Sequence, residues 1–248
     1  MSNPPARASI GDYLISARSF AEYAAMFALT EADLRGSVVD CPGGGASFTA
    51  TACARGADAV AVDPVYAVPP EQLIARLDAE LERGHAWARE RADAYVWAFY
   101  GDFAGHAHLR ERSARLFTAD LRAHPERYVP ASLPALPFAD ASVDLMLSSH
   151  LLFTYADRLD AAFHLAALRE MARIARRQVR VYPLVDQAGQ APEDLVGTLL
   201  ADLTADGLRA KVVEVDYEFQ RGARHMLVVD VTNAPISTTG RSLKGQPS

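Results

Sequence analysis

The residues whose types and spacing could do chemistry gather around two acids. Asp40 closes a short apolar run, Val38-Val39, and opens into Cys41-Pro42-Gly43-Gly44-Gly45. Asp63 closes a second run, Ala59 to Val62, and is followed by Pro64. Between them, Ser47 to Arg55 is rich in small residues and stops at Gly56, as a short helix does. Strand, glycine turn, helix and strand, with an acid ending each strand, is how an α/β sheet holds an adenosine-bearing cofactor at the carboxyl edge of its strands. Glycines let backbone approach a ligand, and amides at a helix start favour a carboxylate or another acceptor. A third element, Ser149-His150, follows the apolar run Val143 to Ser148 and would reach the same edge. An imidazole suits general-base work at neutral pH; the competing reading of His150 is a packing residue bonded to a neighbouring loop. Tyr155 and Tyr182 are candidates to orient an acceptor or simply to wall the pocket.

Other reactive types carry less. His106 and His108 have the alternation of a ligand pair but no companion Cys or carboxylate cluster, so they read as a solvated loop and no metal is expected. Cys41 lacks a base to activate it. Arg110, Arg112 and Arg115 read as a solvated helix face, with contact to an anionic substrate as the alternative.

These residues need a scaffold, and the totals supply one. A chain of 248 residues, half of them hydrophobic and 23% charged, can bury a sizeable α/β core. A formal charge of -6 gives no general attraction to nucleic acid or anionic lipid. No apolar run approaches a membrane span, and MSNPPARAS carries no signal-peptide core. With two cysteines, a reduced, cytoplasmic protein is expected. The chain reads as one domain: a helical lid segment over 1–35, a core over 36–231 and a loose tail over 235–248, with residues 1–8 also loose. Ser19 and Glu22 form a capping box for a helix that puts Phe20, Tyr23, Ala24 and Phe27 on one face, as a lid or as core. A helix starts near Pro70, is interrupted at Gly84 and resumes from Ala88 to Phe99. Residues 95–127, rich in aromatics, read as an insertion shaping the substrate pocket. Strands are expected over Tyr128–Ser132 and Gln178–Leu184, and helices over 157–176 and from Pro192 to Gly207. Val212–Phe219 and Met226–Val231 are close enough to form an antiparallel hairpin.

Alternating strands and helices closed by a hairpin resemble the class I S-adenosylmethionine-dependent methyltransferases. Three stretches carry the resemblance: VVDCPGGGASF at the glycine-rich loop, AVAVDP at the second strand, and LPFADASVDLMLSSHLLFTY leading through the fourth. The resemblance implies a Rossmann-like, doubly wound, seven-stranded, mostly parallel sheet with a C-terminal antiparallel hairpin. It implies S-adenosylmethionine as cofactor, held by Asp40, Pro42, Gly43, Gly44, Gly45, Asp63, Pro64, Ser132, Leu133 and Ser149. His150 and Tyr155 would then serve methyl transfer to a small, partly aromatic acceptor. The loop departs from the family's D-x-G-x-G-x-G: Pro42 and Ala46 replace two glycines and Gly44 keeps the middle one. Two competitors stand beside this reading, a nicotinamide-dependent oxidoreductase and a non-catalytic ligand-binding relative. The G-x-G-x-x-G spacing of the first is absent.

Overall fold

The computed structural model describes residues 10–232. The stretches read as loose, 1–8 and 235–248, lie outside the described residues. In chain order the core begins with helix α1 (Phe20–Met26), strand β1 (Ser37–Asp40), helix α2 (Phe48–Ala54) and strand β2 (Asp58–Val62). Helices α3 (Pro70–Glu90) and α4 (Phe103–Ala123) precede β3 (Tyr128–Val129) and β4 (Val143–Ser149). Helix α5 (Ala161–Ile174), β5 (Ala175–Tyr182), α6 (Glu193–Ala205), β6 (Arg209–Glu214) and β7 (His225–Asp230) complete it.

The seven strands form one sheet in the order β3-β2-β1-β4-β5-β7-β6. Pairings from β3 to β5 are parallel, whereas β7 runs antiparallel to both β5 and β6. This is the sheet expected from the sequence, with the last strand inserted beside β5. Central strands in such a sheet are covered on both faces, so β1 and β4 read as continuous apolar runs. Val39, Met146, Val179 and Val229 pack with α5 and α6 on one face. Val38, Leu145, Leu147 and Val228 pack with α1 and α2 on the other. The one acid inside β4, Asp144, accepts from the Ser37 amide at 2.9 Å and so ties the starts of β4 and β1 together.

Helix α1 has the capping box read from Ser19 and Glu22. Its Phe20 and Tyr23 stack on Phe48 with ring centroids 5.8 and 4.8 Å apart, which anchors α1 to the start of α2. Several boundaries differ from expectation. Helix α3 continues through Gly84, and Ala88–Phe99 is not a second helix. A single glycine costs a helix only about 1 kcal/mol, and beyond Arg91 the chain leaves to meet the hairpin loop. There Val96 N donates to Phe219 O at 2.7 Å and Tyr95 stacks on Phe219. Helix α5 starts at Ala161 rather than at 157, because Asp160 caps it by accepting from the Phe163 amide at 2.8 Å.

The Phe48 ring is fully buried between two aromatic partners at the point where α2 leaves the glycine loop. Phe48→Ala is therefore expected to lower unfolding stability by about 3–5 kcal/mol in a denaturant titration. A loss below about 1 kcal/mol would show that α1 does not depend on this stack.

Candidate functional site

At the carboxyl ends of β1, β2 and β4 lies a cavity of about 480 Å³. Pro42, Gly43, Gly44, Asp63, Pro64, Ser132, Leu133, Ser149, His150 and Tyr155 all line it. Asp40 and Gly45 stand behind this wall. The segment Ile10 to Arg18 crosses the cavity mouth and lines it too. It falls within the 1–35 stretch expected as a helical lid, but residues 10–18 are irregular chain rather than helix.

The glycine loop closes on the chain itself. Gly44 has φ +52°, a left-handed conformation that favours glycine, and the Cys41–Pro42 peptide is cis. Gly43 N donates to Val62 O at 3.0 Å, Gly44 N to Asp63 Oδ2 at 2.9 Å, and Gly45 N to Ser16 O at 3.2 Å. Ala46 N donates to Gly43 O at 3.1 Å and Ser47 N to Arg18 O at 2.9 Å. The amides expected to wait for a ligand carboxylate are thus occupied, because Ser16 to Arg18 lies along the loop and supplies carbonyls in a ligand's place.

Two carboxyls sit at this edge in different environments. Asp63, 7% exposed, accepts from the amides of Gly44 and Val65. Burial pushes its carboxyl up, while those two amides and Arg76 pull it part of the way back. Asp40, 1% exposed, accepts from the Tyr23 hydroxyl at 2.9 Å through Oδ2, and its Oδ1 has no partner among the described residues. Burial drives its carboxyl well above the usual range, and the one hydrogen bond from Tyr23 only partly offsets this.

Past β4, His150 has φ +54°, an uncommon conformation for a residue with a Cβ. Its Nδ1 lies 2.8 Å from Ser149 Oγ. Burial, then Arg18 and Arg110, hold the His150 imidazole well below its ordinary value and therefore neutral. Tyr155 points its hydroxyl at the N-terminal segment, where it accepts from Leu14 N at 2.9 Å. Tyr182 donates to Ala223 O at 2.6 Å inside the core. Cys41 is buried beside both acids, and burial followed by those charges pushes its thiol up.

Two groups read as solvated are not. His106 and Arg110 are buried on α4, while His108, Arg112 and Arg115 are exposed. Arg110 Nη2 pairs with Glu22 at 2.7 Å, and Arg110 Nε donates to His106 Nε2 at 3.2 Å. Burial, then Arg110, lowers the His106 imidazole to about 2. The sequence hid this because the partner carboxylate lies on α1. No group of three or more potential metal ligands occurs among the described residues.

No protein-family model matches the chain. The uncharacterized protein MJ0045 of Methanocaldococcus jannaschii is 24% identical over 222 residues, covering 89% of this chain and 97% of that protein. Solved structures with a similar course include the mitomycin 7-O-methyltransferase MmcR, at 15% identity and TM-score 0.45 over 85% of this chain and 53% of that one. Another is the Synechocystis magnesium protoporphyrin IX methyltransferase ChlM with bound SAM, at 14% identity and TM-score 0.45 over 85% and 77%. A third is the Burkholderia thailandensis 1,6-didemethyltoxoflavin-N1-methyltransferase, at 17% identity and TM-score 0.44 over 85% and 79%. The chain spans about half the length of MmcR.

A carboxyl whose folded pKa is raised takes stability away as pH climbs. The penalty is absent below the unfolded value of about 3.9, grows above it, and is complete above the folded value. Asp40→Asn keeps an acceptor for Tyr23 and removes the titration. The variant is expected to melt higher than the parent at pH 8, with the gap closing toward pH 4 in thermal scans. An equal or lower melting point at pH 8 would contradict the desolvation of Asp40.

Proposed function

We propose that this protein is an S-adenosylmethionine-dependent methyltransferase acting on a small-molecule acceptor. The observation that carries the reading is Asp63, a nearly buried carboxylate at the end of β2 on the wall of a cavity of small-molecule size. Two amides occupy one lone pair on each of its oxygens, and the others suit a pair of ribose hydroxyls. The donor set fits the rest of such a cofactor. Ser132 and Leu133 line the side where the resemblance expects adenine, while Asp40, behind the wall, supports the site through Tyr23 rather than facing the ligand. When bound, S-adenosylmethionine supplies the activated methyl group.

The protein's own part is alignment and a base. The Tyr23 hydroxyl donates to Asp40 and so is fixed beneath the site. The Ser149 oxygen then accepts from His150 Nδ1–H, which leaves the Nε2 lone pair free to take an acceptor's proton. Tyr155 takes no part in that chain. Its bond to Leu14 holds the 10–18 segment across the mouth, so in this reading the segment is the lid and Tyr155 its latch. The aromatic walls contributed by Tyr95, Trp87 and Phe219 suit a partly aromatic acceptor.

Calorimetric titration is expected to show saturable binding of S-adenosylhomocysteine and none of NAD. Asp63→Ala, checked for folding by circular dichroism, should weaken the former at least about tenfold, since ribose hydroxyls lose a charged acceptor. Absence of S-adenosylhomocysteine binding in the parent protein would end the proposal, and unchanged affinity in the variant would end the placement of Asp63. With an acceptor identified by product release, His150→Ala should keep binding and lose turnover about 100-fold; full activity would exclude the base role.

A further inference from the structure

Among the described residues, Arg18 is a charged side chain with two buried nitrogens that lack hydrogen-bond partners. Its side chain is 11% exposed, and it donates no hydrogen bond to any described residue. Nε and Nη1 are buried without partners. Glu22 lies 3.8 Å from Nη1, beyond hydrogen-bond range, and is already committed elsewhere. It takes Arg110 at 2.7 Å, the Ser19 amide at 2.7 Å and the Tyr100 hydroxyl at 2.7 Å. Two guanidiniums thus face one carboxylate, and Arg18, held to it only by a long contact without a hydrogen bond, lines the cavity. A cation held this way, when it need not be, is costly unless something of opposite charge arrives.

The glycine loop makes the same point from the other side. Every amide from Gly43 to Ser47 is bonded within the chain, so none remains for an anionic ligand group. The Arg18 carbonyl takes the last of them, from Ser47, while its guanidinium lies in the cavity wall. The residue that covers the helix start therefore also brings a fixed charge to the site.

We propose that Arg18 is the carboxylate receptor of the cavity, taking over from the glycine-loop amides the pairing with a carboxylate-bearing ligand. The planar guanidinium suits a carboxylate through paired N–H donors. Two sources have this chemistry, the amino-acid end of the cofactor and an acidic acceptor. The first rests on the methyltransferase reading; the second is testable without it.

The test uses Arg18→Gln, with Arg18→Lys as a charge-retaining control, and reads binding by calorimetry. One arm compares S-adenosylhomocysteine with 5′-methylthioadenosine, which lacks the carboxylate. The other compares benzoate with benzamide by quenching of tryptophan fluorescence. If the cofactor is the source, Arg18→Gln weakens S-adenosylhomocysteine about tenfold or more and leaves methylthioadenosine within about twofold. If an acidic acceptor is the source, the parent prefers benzoate to benzamide and Arg18→Gln abolishes the preference. In either case Arg18→Lys falls between. A parent that binds neither nucleoside ends the methyltransferase reading but leaves the benzoate arm decisive for Arg18. Loss of melting temperature without any carboxylate-dependent change in affinity would make Arg18 a structural partner of Glu22 and overturn the proposal, as would no change in either arm.

Discussion

The buried carboxylate of Glu22 is the interaction on which the site's geometry depends. It caps α1 through the Ser19 amide, pairs with Arg110 on α4, and accepts from Tyr100 in the turn before α4. Tyr100 lies 2.6 Å from the hydroxyl of Tyr217, beyond β6, so the same cluster reaches the terminal hairpin. Burial alone would push this carboxyl up; Arg110 and Arg18, with the Ser19 amide and Tyr100, hold it below the usual range and ionised. Breaking a buried pair of this kind by removing one partner typically costs about 3–5 kcal/mol. Four separate stretches of chain are thereby fixed to one charge, and the wall of the cavity is where they meet.

Around that hub the fold tolerates several unfavourable local states at one edge of the sheet. Asp40 and Asp63 have carboxyls shifted upward by burial, Asp40 Oδ1 has no partner, and His150 holds a left-handed backbone. Each could be relieved by an ordinary substitution, such as glycine at the last. Strained and under-paired groups concentrate where a site must be organised before its ligand arrives. The two cores on either face of the sheet are built of ordinary apolar packing. The contrast between those layers and the carboxyl edge is the physical case for function.

What could be read beforehand follows from how local the cause is. The strand-turn-helix-strand unit was legible because its signals are adjacent: apolar runs, glycines, and the terminal acids Asp40 and Asp63. The capping box was legible because Ser19 and Glu22 are neighbours on one helix turn. The hairpin followed from two close apolar runs, though β6 and β7 began earlier than their most apolar residues suggested. Arg110 was misread as solvated because nothing within its own helix announces a carboxylate on α1. Helix α3 was cut at Gly84 because a glycine looks like a stop, yet here Leu14 of the N-terminal segment packs beside the missing side chain. Arg18 gave no local signal, since which of its nitrogens lack hydrogen-bond partners is decided only by the folded surroundings.

The same segment explains the irregular glycine loop. A helix start attracts an acceptor of any origin, and nothing requires that acceptor to belong to a ligand. In this chain Ser16 O and Arg18 O fill the role permanently, bonding Gly45 and Ser47. Loop amides bonded within the chain do not need the geometry a glycine at every second position would give. Pro42, which has no amide to donate, is compatible with that arrangement, and Ala46 bonds back to Gly43 O without glycine's freedom. Gly44 is different: its left-handed φ and its approach to Ser16 O leave little room for a side chain. The departures from the regular motif therefore fall where this chain satisfies its own backbone, and the retained glycine falls where the backbone conformation still demands one.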